Sequence, residues 1–127
     1  MFEFIEGTFE EINPSYLVVN CSGVGFMVEI PLSSYAYFKN KEKGKVFLHQ
    51  IIREDAHLLF GFASKKERTL FRALISVNGV GANTARMMLS SLETDELIRA
   101  VVKEDIATIK SIKGIGLKTA QRLIIEL

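Results

Sequence analysis

The segment Ile75–Arg86 returns 35 residues later as Lys110–Gln121, aligned without a gap. Asn78-Gly79-Val80-Gly81 becomes Lys113-Gly114-Ile115-Gly116, and Ser76, both glycines and Thr84-Ala85 coincide with Ser111, the second glycine pair and Thr119-Ala120. Such a duplication is one supersecondary unit used twice. Each copy reads as helix, tight glycine hairpin, helix. Val80 and Ile115 between the glycines, with Val77 and Ile112 two residues before them, anchor the hairpins and leave the glycine amides outward. Amides at the start of a helix make a seat for a phosphate oxygen. Two such seats point to a chain that grips a nucleic-acid backbone without reading bases.

The rest of the chain supplies a control and a contrast. Ser22-Gly23-Val24-Gly25 has the same Gly-x-Gly but lies between two strand-like runs, and reads as a turn. The first half alternates with period two in six runs: Phe2–Glu6, Thr8–Ile12, Tyr16–Asn20, Phe26–Ile30, Val46–Ile52 and Leu58–Phe62. Turn signals at Gly7, Asn13-Pro14-Ser15, 22–25, 40–44 and Glu54-Asp55 separate them. Five or six short strands in about sixty residues suit a small antiparallel barrel or sandwich, and an OB-like barrel is the natural match for size. Pro31–Phe38 reads as one short helix between strands. At Ala63 the period becomes helical. Ser64-Lys-Lys-Glu67 has the form of a capping box opening a helix that ends near Asn78. Further helices are expected at 82–91, at 95–102 after a Thr94 cap, at 105–112 with Asp105 as cap, and from 117 onward. The expected fold is α+β in two domains: an OB-fold barrel over 1–63, then an all-α domain over 64–127 with two helix-hairpin-helix motifs. The last helix stops on the apolar Leu127 with no capping signal, as expected of a truncated helix.

Net charge is only +1, but it is unevenly spread. Residues 1–63 carry five Lys/Arg against eight Asp/Glu, and residues 64–127 carry eleven against seven. An acidic half joined to a basic half suits a protein of which one half faces phosphates. Cys21 has no partner for an internal disulfide, and no run approaches the ~20 apolar residues of a membrane span. The N-terminus lacks a signal-peptide pattern. A cytoplasmic protein, with no membrane partner, is expected.

Lys118 falls in the first turn after Gly116 and adds charge to the same phosphate, with Lys113 and Arg122 near enough to assist. The first copy has Asn83 in place of Lys118, which hydrogen-bonds but releases no counterion, and Arg86 one turn later. Gly114-Ile-Gly-Leu-Lys-Thr119 is not a Walker loop, because Leu117 separates Gly116 from Lys118 and no strand precedes it. Hydrolase and metal signatures are missing, and His49 and His57 stand alone, so no catalytic residue, metal or cofactor is expected. Two other readings stay open. In a helix-hairpin-helix glycosylase or lyase, Asp105 would be the catalytic carboxylate. In a single-strand-binding OB module, aromatic residues on the barrel would stack on bases. Arg53-Glu54-Asp55 lies between two apolar strands, and its paired carboxylates would repel a phosphate backbone.

These pieces occur in the order of a known family. A barrel of about sixty residues, Arg53-Glu-Asp-Ala56 before Leu58-Leu-Phe-Gly-Phe62, Lys66-Glu-Arg-Thr-Leu-Phe71, Asn78-Gly-Val-Gly81 and Gly114-Ile-Gly-x-Lys-Thr-Ala-x-Arg-Leu-Ile124 resemble the RuvA family over essentially the whole chain. The resemblance implies a non-catalytic subunit that binds four-way (Holliday) DNA junctions in recombination, DNA repair and the SOS response. It implies a homotetramer, or an octamer, presenting a concave face to an open junction. DNA phosphates would be held by Asn78, Gly79, Val80, Gly81 and Asn83, and by Lys113, Gly114, Ile115, Gly116, Lys118, Thr119 and Arg122. Glu54 and Asp55 would form an acidic pin that parts the strands at the crossover. The family's partner is a RuvB-type hexameric ATPase, contacted through a C-terminal domain that this chain is expected to lack. Ala82-Asn83 departs from the Pro-Lys often found after the first hairpin.

Overall fold

The computed structural model describes residues 1–127. Five strands, β1 (Phe4–Ile12), β2 (Tyr16–Cys21), β3 (Val24–Glu29), β4 (Lys43–Ile52) and β5 (His57–Phe62), close into a barrel in the order β1-β2-β3-β5-β4. Pairing is antiparallel except where β3 meets β5, at Glu29 opposite Phe60, and β4 returns to β1 with Phe47 opposite Phe4. Alternate strand residues face inward, and Ile5, Phe9, Leu17, Val19, Val28, Val46 and Leu48 are buried in one core. Helix α1 (Leu32–Phe38) adds Phe38 to that core, edge-on to Phe9 with ring centroids 5.3 Å apart.

Several expected turns are strand interiors. Gly7 does not divide two strands but lies within β1, opposite Gly44 of β4, itself within a strand. A Cβ on Gly7 would stand 2.2 Å from the Asn20 carbonyl oxygen, so glycine is there for backbone approach and not for bending. The turn after β2 is confined to Ser22-Gly23, both with positive φ, while Val24 and Gly25 belong to β3.

Five helices follow: α2 (Lys65–Ile75), α3 (Ala82–Ser91), α4 (Thr94–Val102), α5 (Ile106–Lys110) and α6 (Leu117–Glu126). The chain divides into two compact units, Met1–Arg68 and Thr69–Leu127. The first turn of α2 is tied to the barrel. Only half of the expected capping box forms: the Glu67 amide donates to Ser64 Oγ at 3.2 Å. The Glu67 carboxylate instead turns inward, where Ser34 of α1 donates to it, and Ser34 in turn accepts the Ala63 amide at 3.0 Å. Burial pushes the Glu67 carboxyl above its usual range, opposed by Ser34 and more weakly by Ser33, whose buried hydroxyl makes no regular hydrogen bond. Arg68, also buried, donates to the carbonyls of Glu3 at 2.8 Å and Leu48 at 3.1 Å and meets the Glu3 carboxylate.

In the second unit α4 is preceded by Glu93 as N-cap, so Thr94 is its first residue and not its cap. Helix α5 is shorter than expected, and Asp105 is its N-cap. Helices α4, α5 and α6 contact one another. No helix is long and apolar enough to cross a membrane.

Candidate nucleic-acid interface

The two hairpins are built alike. In the first, the Val80 amide donates to the Val77 carbonyl at 3.1 Å, closing a four-residue turn with Gly79 third at φ +90°. In the second, Ile115 donates to Ile112 at 3.1 Å, with Gly114 at φ +89°. A positive φ at the third position of such a turn is the type II geometry, which favours glycine. The turn then runs through an extended glycine into a helix. Gly81 (φ −88°, ψ 176°) caps α3 and Gly116 (φ −87°, ψ 176°) caps α6. Val77, Val80, Ile112 and Ile115 are all buried, so each hairpin is pinned by two apolar side chains while its glycines face solvent.

Gly81 and Gly116 are the informative pair. Their backbone angles are open to any residue, and a Cβ at either would meet nothing within 4 Å. Nothing inside the chain asks for glycine there. What a side chain would obstruct is approach from outside to the first-turn amides of α3 and α6. Those amides also receive no capping oxygen from their N-cap, since glycine has none. Helix α5 shows the contrast: Asp105 accepts the Thr108 amide at 3.1 Å. Unpaired donors, the positive end of a helix and an unobstructed backbone together suit an anionic oxygen.

Around these seats the side chains differ. Lys113 and Lys118 are exposed at the second hairpin, and Thr119 is half-buried beside them. The first hairpin carries the exposed Asn78 and Asn83. Arg122, which spacing grouped with Lys118, reaches across to the first hairpin, where Nη1 donates to the Asn78 carbonyl at 3.4 Å. Sequence reasoning missed that link. Its trace was the break in the repeat at this position, where α3 has Met87 and α6 has Arg122.

Two other clusters complete the inventory. Glu54 and Asp55 are exposed at the tip joining β4 to β5, a hairpin closed by the Arg53 amide on the Ala56 carbonyl at 2.8 Å. Asp105 is committed to its cap: Thr108 Oγ1 donates to it at 2.6 Å besides the amide bond. The Thr108 hydroxyl, then the Thr108 amide, and to a lesser degree the charge of Lys103, hold its carboxyl below the usual range. These bonds are those of a helix N-cap, which accounts for Asp105 without a catalytic role.

A closed OB-type barrel followed by a tandem of helix-hairpin-helix motifs defines the class of the protein. Comparison with known sequences narrows it. Residues 1–61 match the family described as RuvA N terminal domain, and residues 71–127 match the SAM-like helix-hairpin-helix tandem family. The chain belongs to the RuvA family. Over all 127 residues it is 49% identical to the Holliday junction branch migration complex subunit RuvA of Christiangramia forsetii, spanning 66% of that protein. It is 47% identical to the protein of the same description from Bacteroides fragilis, spanning 63% of it. With that from Flavobacterium psychrophilum it shares 50% identity and spans 66%. The chain thus covers just under two thirds of these relatives' length.

Proposed function

We propose that this chain binds four-way DNA junctions through their phosphate backbone and holds them open for branch migration driven by a separate ATPase. The observation that carries the reading is the duplicated pair Gly81 and Gly116, kept free of side chains where the fold has no need of it. Asn78, Gly79, Val80, Gly81 and Asn83 form one phosphate seat; Lys113, Gly114, Ile115, Gly116, Lys118 and Thr119 form the other, with Arg122 serving the pair. Val80 and Ile115 act as buried anchors and offer only their backbones. Contacts of this kind position a duplex without sequence preference.

Glu54 and Asp55 are the acidic pin of this reading. Paired carboxylates on an exposed hairpin tip repel phosphates, which is useful only where strands must part. A homotetramer would gather four such tips at a crossover. The motor lies elsewhere, because the segment around Gly116 lacks the spacing of a nucleotide-binding P-loop. The relatives' description as branch migration complex subunits supports the same division of labour.

The test is a competition gel shift at two salt concentrations, with an immobile four-way junction against linear duplex and single strand of matching sequence. Preference for the junction at both salts is expected. Equal affinity for duplex would reduce the chain to a general backbone binder, and preference for single strand would transfer the site to the barrel.

A further inference from the structure

We infer that the first hairpin draws its cation from the second motif: Arg122 of α6 both braces the Asn78–Gly81 loop and supplies the positive charge of its phosphate seat. The inference rests on the phosphate-seat reading above and adds which group serves which seat.

Arg122 Nη1 donates to the Asn78 carbonyl at 3.4 Å, across 44 residues of sequence. The same nitrogen lies 3.8 Å from where a Cβ on Gly79 would stand, so the guanidinium sits beside the bare face of the turn. Both residues are exposed. A guanidinium has five N–H donors in one plane, so one bond to a carbonyl leaves the others free for a phosphate oxygen.

The repeat makes the arrangement one-sided. The residue of α3 that corresponds to Arg122 is Met87, exposed but uncharged, so α3 offers the second hairpin no reciprocal cation. The second hairpin does not lack one, since it has Lys113 and Lys118 of its own. At the matching places the first has Asn78 and Asn83. Arg86, the remaining cation of α3 near this loop, is half-buried and already engaged within the chain. The cation is therefore present in trans at the seat that lacks it in cis, and absent in trans at the seat that has its own. Because Arg122 rises from the helix that the second hairpin opens, the two seats share one rigid element.

The experiment measures binding of the full chain to an immobile four-way junction by fluorescence anisotropy across a salt series. Arg122→Ala is expected to weaken binding by about tenfold, as for loss of one charge-assisted phosphate contact. It should also lower the slope of log affinity against log salt by about 0.9. Adding Asn83→Lys to that variant restores a cation in cis and should recover the slope, which a purely structural brace would not do. In double-mutant cycles Arg122→Ala should couple to Gly81→Ala and add independently to Gly116→Ala. An unchanged slope, failure of Asn83→Lys to restore it, or coupling to Gly116 in place of Gly81 overturns the inference while leaving the phosphate seats standing. A wild-type chain that binds neither junction nor duplex removes both.

Discussion

Gly79 and Gly81 stand two residues apart and are glycines for different reasons. Gly79 has φ +90°, where a side chain strains the backbone, whereas Gly81 has ordinary angles and open space beside it. Gly79→Ala should therefore cost about 1–2 kcal/mol of stability. Gly81→Ala should leave the urea midpoint nearly unchanged and still weaken junction binding several-fold. If Gly81→Ala binds like wild type, the seat is not where the amides suggest. A second residue-level expectation concerns Glu67, whose carboxyl burial holds above its ordinary value of 4.5. A raised folded value means that the ionised form is the penalised one. The group's contribution to stability is thus full below the unfolded pKa and is lost as pH rises through the folded one. Glu67→Gln, which keeps an acceptor for Ser34, should melt higher than wild type at pH 8, with the gap closing toward pH 4. A gap that ignores pH would show that the ionised carboxylate is not what burial penalises.

At the scale of elements, close backbone approach decides more than turn chemistry. A Cβ on Gly7 meets a carbonyl oxygen of β2, which cannot rotate away as a side chain could. Gly7→Ala should part β1 from β2 or shift their register, at about 3 kcal/mol or more in chemical denaturation. Full stability in that variant would mean that the strands can spread without loss. Local signals at helix starts were half legible. Ser64 caps α2 as its spacing implies, but Glu67 leaves the box because a buried hydroxyl on α1 competes for it. The sequence places Glu67 three residues after a serine; only folding brings Ser34 to it.

For the whole molecule, charge is divided as the proposed function needs. The acidic first half carries Glu54 and Asp55 at an exposed tip, and the basic second half carries both hairpins. Lys118→Ala should lower the salt slope of junction binding by about 0.9 or less, since at most one phosphate contact is lost. Replacing Glu54 and Asp55 together by lysine should tighten binding to junction and duplex alike and so erode the preference for the junction. Indifference of both affinity and preference would remove the acidic pin.

Much was determined by sequence alone. Period-two alternation located the strand-forming runs of the barrel, because strand side chains alternate whatever the strands pair with. The gapless repeat identified both hairpins, because a type II turn between buried apolar anchors is a local solution that recurs with its residues. What the sequence left open were relations between distant segments. The continuity of β1 through Gly7 depends on the backbone of β2, and the fate of Glu67 depends on α1. Arg122 lies beside Lys118 in sequence yet hydrogen-bonds to Asn78, because the side chain leaves α6 toward the other hairpin. Local propensity fixes the conformation of each element; which groups meet across elements is fixed only when the chain packs.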